Sequence, residues 1–126
     1  MIVYVETSAA AKLLVEEAAS TRIAMHLDDL AENPVSCLVL ETELRRLAVR
    51  VDLQQTAVTS VLERFDLLEP DRSLYREAGT LPGRHLRSLD ALHVAAAMRW
   101  DADVMISYDH RQLAAAEAVG LRTLSV

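Results

Sequence analysis

The chain has 126 residues, 52% of them hydrophobic and 25% charged, a balance that excludes disorder and suits one buried core rather than two. A formal net charge of -6 argues against a surface that grips nucleic acid nonspecifically, and an aromatic content of 4% excludes a row of stacked bases. Cys37 is the only cysteine, so no internal disulfide forms and a reducing, cytoplasmic setting is expected.

Residues 2–5 are a short β-branched and aromatic run that stops at Glu6, too short for a signal sequence or a membrane span. AAAKLLVEEA follows with strong helical propensity, and Thr7 or Ser8 stands where a cap belongs. Residues 20–32 predict a second helix ended by Asn33-Pro34, residues 35–39 a short apolar strand, and residues 41–51 a third helix. Asp52 with Gln55 resembles a capping box for a helix reaching Phe65, residues 67–69 suit a brief strand, and Asp71 caps a helix reaching Ala78. Residues 79–86 hold Gly79, Pro82, Gly83, Arg84 and His85, the composition of a functional loop. From Ser88 the segment LDALHVAAAMRW carries an apolar stripe at helical spacing. VMIS then reads as a strand, HRQLAAAEAVG as a helix closed by Gly120, and LRTLSV as a last strand. This alternation predicts an α/β fold over residues 1–126, a single three-layer α/β/α domain whose mainly parallel sheet has about four or five strands. Ligands are expected beyond the carboxyl ends of the strands.

Glu6 ends the first strand and Asp109 follows the VMIS strand, while Glu43 and Asp90 are read as beginning helices. The helix dipole alone accounts for acids at helix starts, namely Glu43, Asp90 and Asp109. An acid that directly ends a buried strand has no such account, and Glu6 therefore tips the reading toward a metal site. Four converging carboxylates raise one another's pKa unless a cation is present. Oxygen ligands without clustered cysteine or histidine select Mg²⁺ or Mn²⁺, which would activate water for displacement at phosphorus.

Taken in order, MIVYVETSAAAKLL, SCLVLETELRR, LRSLDALHVAAAM and ISYDHRQLAAAEAVGL span nearly the whole chain. Together they resemble the acidic blocks of PIN-domain nucleases, and most closely those of the VapC toxins of VapBC toxin-antitoxin pairs. The resemblance implies a metal-dependent endoribonuclease with Glu6, Glu43, Asp90 and Asp109 as both metal ligands and catalytic acids. It also implies an RNA substrate, a VapB-like antitoxin and a homodimer. For the dimer, the apolar positions Ala11, Leu14, Val15, Ala18 and Ile23 exceed what one sheet edge needs. The first block usually reads Asp-Thr-Ser, whereas Glu-Thr-Ser here adds one methylene. Because Mg²⁺ demands strict geometry, an alternative is a catalytically weakened PIN-like module that acts mainly by binding its antitoxin.

Thr7 and Ser107 carry hydroxyls suited to orienting the acids or water, although capping a turn also accounts for Thr7. Arg84 and Arg87 flank the loop and are expected to contact substrate phosphate or a partner. Arg45, Arg46 and Arg111 read as solvated surface. Glu41 is expected to face solvent, and a lone His93 on an apolar helix to pack in the core. A receiver-like signalling domain would need a lysine after a late strand, and the only lysine is Lys12.

Overall fold

The computed structural model describes residues 1–126. In chain order it contains β1 (Val3–Val5), α1 (Thr7–Leu14), α2 (Ser20–Asp28), β2 (Val35–Cys37), α3 (Val39–Arg50), α4 (Gln55–Leu62) and β3 (Asp66–Leu68). These are followed by α5 (Arg72–Gly79), α6 (Ser88–Arg99), β4 (Val104–Ile106), α7 (His110–Ala118) and β5 (Thr123–Leu124). The strands form one sheet in the order β3-β2-β1-β4-β5, and every pairing is parallel. The expected architecture, a parallel sheet between two helical layers, is therefore the one observed.

Period-two alternation in the strands divides the core into two halves. Val3, Val5, Val104 and Ile106 face α1 to α4, where they pack on Ala9, Ala10, Ile23, Leu27, Leu40, Leu44 and Val58. Tyr4, Val35, Cys37 and Met105 face the opposite way, against Leu74, Ala91, Ala95, Ala96 and Ala116 of α5, α6 and α7. Ala95 to Ala97 are small enough to bring α6 close to the sheet, and all three are buried. Ile23 is spent on this chain's own core and Ala11 and Leu14 pack against it, so the apolar surplus once reserved for a second subunit is smaller than expected.

Helix ends share one recurring device, expected at Gly120 but not at Asp52. Three helices finish with the residue after the cap in the left-handed region: Asp52 (φ 57), Asp101 (φ 55) and Gly120 (φ 89). The next amide then returns to an open carbonyl of the last turn: Leu53 to Ala48, Ala102 to Ala97 and Leu121 to Ala116. Asp52 is consumed in ending α3 and does not cap α4, whose N-cap is Gln54. Asp71 does cap α5, its carboxylate accepting from the Leu74 amide at 2.9 Å. α2 stops at Asp28 rather than at residue 32, and α3 starts at Val39 rather than at residue 41.

Candidate active site

The chain runs outward from β1 to β2 and β3, then crosses back to β4 and β5. The reversal lies between β1 and β4, where a parallel sheet opens a crevice beyond its carboxyl edge. Glu6 follows β1 and caps α1, and Asp109 follows β4 and caps α7. Asp90 sits in the first turn of α6. Glu43 lies in the second turn of α3, not at its start, so the dipole account of that residue fails. Glu6 fails in the opposite sense, since it does cap a helix: it is the single residue between β1 and α1, and its carboxylate folds back onto the Ser8 amide at 3.0 Å.

Glu43, Asp90 and Asp109 line one cavity of about 610 Å³ together with Arg87, Ser88, Leu89 and Arg111. Glu6 does not line it and is buried, 5% exposed, with its Oε1 accepting from Ser107 Oγ at 2.7 Å and from the Ser8 hydroxyl. Ser107 in turn accepts from the Asp109 amide at 3.0 Å, so one buried hydroxyl ties the first acid to the fourth. The Asp109 carboxylate accepts from the Arg111 amide at 3.0 Å. Glu43 Oε1 accepts from Thr7 Oγ1 and from His93 Nε2, each at 2.7 Å. Thr7 thus serves Glu43 rather than the helix cap. The four acids were expected within bridging reach of one another, but no three acidic, histidine or cysteine side chains stand close enough to share one ion position. Each of Glu6, Glu43 and Asp109 is instead drawn to its own protein donors.

Asp90 has no such donor. Burial and the charges of Asp109 and Glu6, with a smaller contribution from Glu43, push its carboxyl above the ordinary value. Burial also opposes ionisation of Glu43, but His93 and Thr7 more than compensate and hold its carboxyl below the ordinary value. The cavity therefore has one stabilised carboxylate beside one that is penalised for its charge. An oxygen-only donor set with an unsatisfied acid at its centre fits a hard divalent cation.

The arginines divide in a way the sequence did not indicate. Arg87 and Arg111 reach the acidic cavity, whereas Arg84 lines a neighbouring groove with Pro82, His85, Ala114, Ala115 and Ala118 that shares only Arg111 with it. Arg45 is turned away, bonded to Glu41 at 2.9 Å and to the Gln55 side chain at 3.1 Å. His93 is buried, 1% exposed, but packing is not its whole role, because it bonds both Glu43 and Tyr4. Its position three residues after Asp90 on α6 was the available signal.

The PIN domain family matches residues 3–118. Ribonuclease VapC35 of Mycobacterium tuberculosis is 36% identical over 130 residues, covering 98% of this chain and 96% of that protein. Among solved structures, VapC20 of Mycobacterium tuberculosis, described as a Sarcin-Ricin loop cleaving toxin, superposes with a TM-score of 0.79 at 16% identity over 98% of this chain and 99% of that one. VapBC-1 from nontypeable Haemophilus influenzae gives a TM-score of 0.71 at 19% identity over 99% of this chain and 98% of that one. With the conserved architecture and the acidic crevice both in place, the chain belongs to the PIN-domain family and, within it, to the VapC ribonucleases of toxin-antitoxin systems.

Proposed function

We propose that the chain is a Mg²⁺- or Mn²⁺-dependent endoribonuclease whose reaction takes place in the cavity lined by Glu43, Asp90 and Asp109. The observation that carries this reading is Asp90, an acid with acidic neighbours and no protein donor, at the sheet's topological switch point. Glu43, Asp90 and Asp109 line the cavity and would have to draw closer together to hold one ion, with Glu6 joining them only on leaving Ser8 or Ser107. A bound ion of this kind activates water and neutralises charge developing at phosphorus. Arg87 and Arg111 draw the RNA backbone to a pocket that would otherwise repel it, and Arg84 extends the positive rim along the strand. Ser107 keeps Glu6 and Asp109 in register, and Thr7 holds Glu43. RNA as the substrate class is supported by relatives that are themselves ribonucleases. Cleavage of total RNA by the purified protein should require Mg²⁺ or Mn²⁺ and disappear with EDTA, and cleavage that persists in EDTA defeats the proposal.

A VapB-like antitoxin is the inferred protein partner. It is supported by an apolar groove between α1 and α3 that includes Ala11, Val15, Leu47, Val51 and Leu89, opens beside Glu43 and carries Arg46 and Arg50. A homodimer is part of the same reading, with Ala18 and Met25 exposed on the α1–α2 side. No helix is long and apolar enough to cross a membrane. One observation favours a second reading. Glu6 is buried, held by Ser8 and Ser107, and absent from the cavity wall. A module whose first acid is withdrawn would act mainly by binding its antitoxin, and cleavage that appears only after Glu6→Asp would establish that alternative.

A further inference from the structure

A chain of hydrogen bonds passes through the core to the acidic cavity. Tyr4 Oη lies 2.7 Å from His93 Nδ1, and His93 Nε2 lies 2.7 Å from Glu43 Oε1 and 3.0 Å from Thr7 Oγ1. Tyr4 and His93 are 0% and 1% exposed, and their rings meet edge to face, with centroids 5.8 Å apart. The links belong to β1, α1, α3 and α6, so the chain fastens one side chain of α3 to the sheet and to the helix that carries Asp90.

A neutral His93 ring satisfies these contacts in one arrangement of protons. An ionised Glu43 only accepts, so Nε2 must carry hydrogen toward it. Burial keeps the Tyr4 phenol protonated, and a phenol proton directed at His93 Nδ1, 2.7 Å away, leaves Nδ1 bare. Both conditions are met by one neutral tautomer, with hydrogen on Nε2 alone. Both protein donors to Glu43, Thr7 and His93, land on Oε1, and none reaches Oε2. One oxygen is thereby anchored, and the other is left for whatever enters the cavity that Glu43 lines.

We propose that His93, locked by Tyr4 in its Nε2–H tautomer, is a positioning residue that clamps Glu43 through Oε1 and so presents Oε2 to a divalent cation. The role rests on the cation reading above, and the tests are chosen to separate the two. His93 touches neither substrate nor ion; it acts through the carboxylate, as partners behind a ligand do elsewhere.

The first test is a nitrogen-15 spectrum of the histidine rings in the metal-free protein. His93 should show a protonated Nε2 and an unprotonated Nδ1, and Tyr4→Phe should disturb that pattern. A ring protonated on Nδ1, or on both nitrogens, overturns the proposal whether or not RNA is cleaved. The second test is Mn²⁺ binding by calorimetry to the full chain and its variants, with thermal melts to confirm folding. His93→Phe keeps the ring volume but removes the bonds and should weaken Mn²⁺ binding roughly tenfold to a hundredfold. His93→Gln can donate to Glu43 and accept from Tyr4, and should recover most of that loss. Tyr4→Phe, which leaves His93 in place, should weaken binding by less than His93→Phe. Unchanged Mn²⁺ affinity in a folded His93→Phe or Tyr4→Phe protein, or no recovery with Gln, overturns the clamp. Absence of Mn²⁺ binding by the unsubstituted protein defeats the cation reading itself, and the tautomer result then still decides whether His93 holds Glu43.

Discussion

Two acids on the same cavity wall should respond to neutralisation with opposite signs. Glu43→Gln keeps the shape of the side chain but turns two charge-assisted hydrogen bonds, from Thr7 and His93, into neutral ones. Each such change costs about 1 kcal/mol. With the Glu43 side chain 22% exposed, solvent screening trims the total to about 1–2 kcal/mol. For a chain of this size that is a fall in Tm of roughly 4–8 °C. Asp90→Asn removes a charge that burial and the neighbouring acids already penalise, and its Tm should rise by a smaller amount. The pH dependence follows from the same shifts. Asp90, raised in the folded state, costs stability at neutral pH, and the cost is relieved as pH falls through its folded value, so the advantage of Asp90→Asn should vanish in acid. Glu43, lowered in the folded state, contributes stability above its unfolded value and loses it as pH falls through the folded one, so the deficit of Glu43→Gln should close only at lower pH still. Thermal melts in EDTA from neutral to acidic pH read both effects. A Glu43→Gln protein at least as stable as the parent at neutral pH, or an Asp90→Asn protein that is less stable, refutes the electrostatic description of the cavity.

Ser107→Ala removes a fully buried hydroxyl that donates to Glu6 and accepts from the Asp109 amide, and denaturant unfolding should show a loss of about 1–3 kcal/mol. Arg87→Ala and Arg111→Ala should each weaken RNA binding and flatten its salt dependence by filter assay. Arg84→Ala, set in the adjoining groove, should have a smaller effect on short RNA than on long RNA. Equal effects of all three on a short strand would count against the division of the rim.

The fold was largely legible because its signals are local and repeated: β-branched runs of a few residues, separated by helices with apolar stripes, leave a parallel sheet as the arrangement that buries both faces. Helix ends were less legible. Asp52 carries the same side chain whether it caps the next helix or finishes the previous one, and the choice was made by the return bond from Leu53 to Ala48, which depends on where α3 stops. Glu6 was misjudged for a related reason, since as the single residue between β1 and α1 it both ends the strand and caps the helix.

At the candidate site, residue types and order pointed to the crevice, and Asp90, Asp109 and Glu43 do share its wall. What the sequence could not carry was which donors each acid would meet. Thr7 and His93 converge on Glu43 from positions 36 and 50 residues away along the chain, and no pattern in one segment encodes such a meeting. Arg111 was missed because two residues past Asp109 reads as an exposed helix face, yet the turn of α7 over the crevice brings it to the cavity.

The most direct measurement is the mapping of cleavage ends on total RNA in Mg²⁺ by the chain as it stands and by its Glu6→Asp and Asp90→Asn variants, with melts to show that all three are folded. The account predicts discrete metal-dependent ends for the unsubstituted chain and the loss of most of them with Asp90→Asn, which removes the central acid of the cavity while preserving its shape. Equal cleavage by a folded Asp90→Asn protein would contradict it.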